Sequence, residues 1–157
     1  MPKFIKGMQL SHDFYFEIVA PLLAEHFPGL LHSAARLGGG SDVLGFDDPT
    51  SRDHDWGPRV DLFFSNEDYQ KVGDKVYDLL ANTLPFTYQG YSTHFVNDYL
   101  MGENFKYPII HRARTFSIAF FASRFLGFDP LGEISETDWL RTPEQQLRTI
   151  RSGKVFH

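Results

Sequence analysis

Two aspartates, Asp53 and Asp55, stand one residue apart in the segment Ser51-Arg52-Asp53-His54-Asp55-Trp56. On a strand this spacing points both carboxylates to one face, because side chains alternate with period two. Carboxylates held side by side repel each other, and a hard cation between them removes that cost. Mg²⁺ suits the role, since it takes one or two carboxylates together with waters and substrate phosphates; Mn²⁺ is the alternative ion. Upstream lies Gly38-Gly39-Gly40-Ser41, where glycines let the backbone turn tightly and approach a ligand. Amides at Gly40 and Ser41, with the Ser41 hydroxyl, are suited to phosphate oxygens. Arg52 and Arg59 flank the acidic pair, either as triphosphate contacts or as salt-bridge partners of Asp53 or Asp55. Together these are parts of a phosphoryl-transfer site that works by positioning and charge neutralisation. Asp-x-Asp alone is common in turns; the glycine turn upstream is what gives it weight here. His54 would face away from the aspartates on a regular strand, which suits packing or capping better than metal ligation. Trp56 either stacks a base or joins the core.

Positioning such a site requires a strand before the glycine turn and another after it. Leu30 to Leu37 is a short apolar segment with small residues, read as a buried strand. Arg59 to Phe64 is read together with Asp53 to Trp56 as one bulged strand, or as two strands in line, around Gly57-Pro58. Ahead of them, Ser11 is positioned to cap a helix through Phe14, Ile18, Val19, Leu22 and Leu23. Pro21 falls inside that pattern and predicts a kink or two abutting helices; Phe27-Pro28-Gly29 ends it. Ser65, with Asp68 three residues on, starts another helix with a stripe of Tyr69, Val72, Val76, Leu79 and Leu80. Phe86 to Val96 reads as a strand or hairpin around Gly90, and Tyr107 to Ala113 as a short strand. Thr115 to Leu126 reads as a Phe-rich helix stopped by Gly127. A last helix is expected from Thr142, with Pro143 at its first position, to about Arg151. Alternating strands and helices predict an α+β domain, a small mixed sheet flanked by helices.

Composition sets the outer bounds. The 157 residues suit one domain, and 42% are hydrophobic and 22% charged, as in a protein with a buried core. The net charge of -5 argues against a broad basic face for nucleic acid. No apolar run approaches the ~20 residues of a membrane-spanning helix. There are no cysteines, so disulfides and thiol chemistry are excluded. A cytoplasmic protein with no membrane partner is the default reading. Sixteen Phe among the 157 residues make disorder implausible. The Phe-rich helix is core, or else a surface where a second copy or further helices dock.

The Gly40-Ser41, Asp53 and Asp55 arrangement resembles the nucleotidyltransferase superfamily typified by DNA polymerase beta. That pattern is Gly-Ser or Gly-Gly, a loop, then Asp-x-Asp or Asp-x-Glu on the following strand. A closer likeness covers most of the chain. Ser51 to Arg59, Leu84-Pro85, Gly90-Tyr91, Asp138-Trp139-Leu140, Pro143-Glu144-Gln145 and Ser152 to His157 are similar to segments of a bacterial domain family of unknown function. That family is grouped with the nucleotidyltransferases, and its members usually continue into a further helical region. The resemblance therefore implies that residues 1–157 form a nucleotidyltransferase-like domain lacking that C-terminal part. It further implies Mg²⁺-dependent transfer of a nucleotide from an NTP to an acceptor hydroxyl or amine. Asp53 and Asp55 would be catalytic and metal-binding, and Gly40, Ser41 and Arg52 would bind the nucleotide. Active members of the superfamily generally add a third carboxylate from a neighbouring strand. Asp61 and Asp98 are the candidates, and His111 falls where another was sought.

Two functions follow from these residues. The first is an enzyme acting on a small molecule or protein in preference to long nucleic acid, given the acidic charge. The second is a catalytically incomplete relative that binds a nucleotide or a partner. Metal-assisted hydrolysis using His54 is disfavoured by the strand alternation that separates it from the aspartates.

Overall fold

A computed structural model describes residues 4–50, 56–95 and 106–157. Helix α1 spans Gly7–Phe14 and runs through a π-turn, Tyr15–Val19, into α2, Ala20–His26. Pro21 has no N–H for the carbonyl one turn back, and the wider π-turn just before it absorbs that loss. The expected kink is thus a local change of pitch. The helix starts before Ser11, which is fully buried inside it; the Ser11 hydroxyl accepts the Arg59 N–H at 3.4 Å instead of capping.

Strand β1 is Ser33–Arg36, followed by the one-turn helix α3, Ser41–Leu44, and then β2, Val60–Phe64. Helix α4, Asn66–Thr83, begins as expected: the Ser65 hydroxyl accepts the Asp68 N–H at 3.0 Å. A tight hairpin, β3 Thr87–Tyr88 and β4 Tyr91–Ser92, turns on Gln89 and Gly90, both at positive φ. Glycine and a non-β-branched residue are what such a turn requires.

The expected strand at Tyr107 to Ala113 and helix from Thr115 are displaced. Strand β5 is Ala113–Ser117, and helix α5 is Ile118–Leu126, closed by Gly127 in the left-handed region. The chain continues into α6, Glu136–Arg141, α7, Glu144–Arg151, and β6, Lys154–Val155. Pro143 caps α7 from outside rather than occupying its first helical position.

The four-stranded sheet has the order β5-β2-β1-β6, with β1 antiparallel to both β2 and β6, and β2 parallel to β5. It is a small mixed sheet flanked by helices. One face (Ala34, Val60, Leu62, Phe64, Ala113) buries against Leu10, Phe14 and Leu23 of the first helices and Val76 and Leu80 of α4. The opposite face carries Ala35 and Phe63, covered by Phe121 of α5 with Phe116 and Phe125 beside it. No helix among the described residues is long and apolar enough to cross a membrane.

Candidate functional site at the end of the first strand

The glycine turn lies where β1 ends. Antiparallel pairing of Ala35 with Asp61 brings the end of β1 beside the start of β2. The turn and the chain entering β2 therefore share one edge of the sheet. Asp55 precedes Trp56 directly in that chain, but Arg52, Asp53, His54 and Asp55 lie outside the described residues, as does Asp98. Gly40 and Ser41 are described, and their neighbours were not anticipated from the sequence.

Arg36, the last residue of β1, is fully buried. Its Nε donates to Asp42 Oδ2 at 2.7 Å and its Nη2 to Asp42 Oδ1 at 2.9 Å. The same guanidinium donates to the carbonyls of Leu37 and Gly39, each at 2.8 Å. One side chain thus ties both ends of the turn together. Fork geometry is what lets arginine satisfy a carboxylate and two carbonyls at once. Gly40 has φ 141°, and a Cβ there would collide with Asp42 Oδ1 and Arg36 Nη2. The glycine is required by this pair before any ligand is considered.

Within the turn, the N–H groups of Gly39, Gly40 and Ser41 donate to no partner among the described residues, and neither does the Ser41 hydroxyl. These are three successive backbone donors left for a ligand or solvent. Gly38, also at positive φ, would place a Cβ 3.3 Å from the Phe125 ring, so α5 packs directly against the turn.

Asp61 sits in the second position of β2 and is 1% exposed. Its Oδ2 accepts the Leu37 N–H at 3.1 Å and lies 3.8 Å from Arg36 Nη1. Its Oδ1 takes Arg114 Nε at 2.7 Å and Nη2 at 2.6 Å, across the β2–β5 register. As a candidate third carboxylate, Asp61 is therefore committed to arginines and backbone. His111 is also occupied, with its Nε2 donating to the Tyr77 carbonyl at 3.0 Å under burial that pushes the imidazole pKa down. Trp56 takes the core reading: its ring packs 4.8 Å from Tyr91, and its indole N–H donates to Asp47 Oδ1 at 3.0 Å. Among the described residues no group of three or more His, Asp or Glu is placed to hold a metal ion.

Arg36, Asp42 and Arg114 were missed in the sequence reading. A charged residue closing the apolar run Ala34-Ala35-Arg36-Leu37, with an aspartate just past the glycines, was the available signal. No family model, curated protein or solved structure matches the chain.

Proposed function

We propose that the chain binds a nucleoside triphosphate as its Mg²⁺ or Mn²⁺ complex and transfers the nucleotide to an acceptor, as a nucleotidyltransferase-like domain. The observation that carries this reading is the shared sheet edge. There the end of β1 pairs with the start of the strand that Asp53 and Asp55 precede in sequence, and the turn that follows β1 carries the unpartnered N–H groups of Gly39, Gly40 and Ser41. On this reading the turn holds phosphate oxygens, Asp53 and Asp55 hold the cation, and Arg52 neutralises the triphosphate. An acidic chain of net charge -5 favours a small-molecule or protein acceptor over long nucleic acid, in the cytoplasm.

A second reading, nucleotide binding without transfer, is supported by Asp61. Its carboxylate is held by Arg114 and the Leu37 N–H, with the Arg36 guanidinium 3.8 Å away, so two cationic side chains already stand where a metal ion would have to sit.

Thermal unfolding with ATP, with and without MgCl₂, separates the two readings from no nucleotide function at all. Mg²⁺-dependent stabilisation is expected, growing with ligand concentration by mass action. Asp53→Asn and Asp55→Asn should each abolish it while leaving the unliganded melting temperature unchanged or raised. Pyrophosphate release in the presence of candidate hydroxyl and amine acceptors distinguishes transfer from binding. Equal stabilisation by ATP in the doubly substituted protein would overturn the metal assignment.

A further inference from the structure

The sheet face opposite the main core has two different ends. Its first cross-strand row pairs Asp61 with Arg114, and the next in the same direction pairs Phe63 with Phe116. Helix α5 lies over the aromatic end, with Phe121 edge-on to Phe63 at 4.9 Å and 4.7 Å from Phe125. Between α5 and the edge strand β5 is a half-open cavity of about 300 Å³ lined by Arg114, Phe116, Phe120, Phe121, Arg124 and Phe125. That is the lower end of the size range of small-molecule sites.

Four aromatic rings form its walls and two guanidinium groups its polar rim. Arg114 is held in place from behind: Nε and Nη2 sit on Asp61, and its guanidinium lies 5.2 Å from the Phe116 ring centre. Its Nη1 has no partner among the described residues. Arg124 is exposed and pairs with no carboxylate among the described residues. Asp42 and Asp61 offset Arg36 and Arg114, so Arg124 leaves one positive charge in excess at this rim.

We infer that this cavity binds an aromatic monocarboxylate, its ring among Phe116, Phe120, Phe121 and Phe125 and its carboxylate on Arg114 and Arg124. Edge-to-face contacts with the Phe walls favour a flat ring over a saturated chain. The planar fork of Arg124 matches a carboxylate, with Arg114 adding its Nη1, and a single excess charge matches a single anionic group rather than a triphosphate. Phe120, 62% exposed at the mouth, is the ring left for the ligand to cover. The site stands apart from the nucleotide reading, and its test uses no nucleotide.

The test is calorimetric titration of the full chain with 3-phenylpropionate, and with its uncharged amide as the matched control. Saturable binding of the acid at about 1 mM or tighter is expected, with the amide weaker by about tenfold or more. Arg124→Gln should weaken the acid by about tenfold and leave the amide unchanged, and Phe120→Ala should weaken both. Arg148→Gln, in a different cavity formed by α5, α6 and α7, should change neither. Arg124 and Phe120 are both exposed, so unaltered melting temperatures will show that the variants fold. Equal affinity for acid and amide, or no saturation by the acid, would overturn the assignment. So would light scattering that shows dimers, lost in Phe120→Asp, with no uptake of the acid, because a second copy would then be the occupant.

Discussion

At the scale of single residues, the turn after β1 owes its shape to a buried ion pair, and that changes how substitutions there must be read. On the proposed nucleotide reading a valine at Gly40 would impede a phosphate, but it would first push apart Arg36 and Asp42. Weakened nucleotide binding in such a variant would report a broken turn as readily as a blocked one. Ser41→Ala is the cleaner probe, because its hydroxyl has no described partner to lose. It should leave stability within about 0.5 kcal/mol of the parent and reduce NTP affinity by the worth of one hydrogen bond, about 0.5–1.5 kcal/mol. Arg36→Ala belongs at the other extreme. It strands Asp42, whose side chain is 6% exposed, and removes the donors that hold the Leu37 and Gly39 carbonyls. Breaking a buried pair from one side costs about 3–5 kcal/mol, which urea denaturation will register directly. Gly40→Ala should cost at least the ~1–3 kcal/mol of a strained backbone, with the displaced pair added. A stable Arg36→Ala protein would show that the turn holds itself.

Among the elements, helix α5 tests how local chemistry sets a boundary. Ser117 ends β5 and caps the helix, its hydroxyl accepting the Phe120 N–H at 3.1 Å. Ser117→Ala should therefore cost about 1 kcal/mol by loss of the cap, seen as a lower urea midpoint with an unchanged slope. That boundary is also where the sequence was misread. Phe116 and Ile118 fit both a strand alternation and a helical stripe, so the apolar pattern alone assigned Thr115 to the helix. The serine three residues before Phe120 was the discriminating signal. Helix α4 was legible for the converse reason: Ser65, Asp68 and a stripe ending before Pro85 all agree. Strand β6 is two residues long and exposed, held by pairing with Ala35 and Arg36, so its own composition carries no trace of it. The Gly40-Ser41 turn was legible because glycine is rare without a backbone reason. The Arg36–Asp42 and Asp61–Arg114 pairs were not, since cross-strand register decides which charges meet.

For the whole molecule, half-buried His32 and buried His111 tie stability to pH. The His32 Nδ1–H donates to the Leu30 carbonyl at 3.1 Å, which leaves Nε2 to accept the Tyr15 hydroxyl at 2.9 Å. Burial pushes its pKa below the ordinary imidazole value, with the Leu30 hydrogen bond opposing. Burial does the same to His111, against its bond to the Tyr77 carbonyl. The folded protein thus holds both rings neutral, and the unfolded chain binds more protons once pH drops below about 6.5. Stability must then fall as pH falls from about 6.5 toward the depressed folded values, and the melting temperature should be lower at pH 5 than at pH 7. Carboxylates enter later. Asp138 is held below its usual range by the Ser135 side chain and backbone, so its contribution is present above about pH 4 and lost only on further acidification. A melt series from pH 7.5 to 4.5 therefore samples the histidine window without the Asp138 one. Replacing His32 and His111 together by Gln should flatten the slope between pH 6.5 and 5, at the cost of a lower melting temperature at pH 7. An unchanged slope in that variant would place the acid sensitivity in other groups.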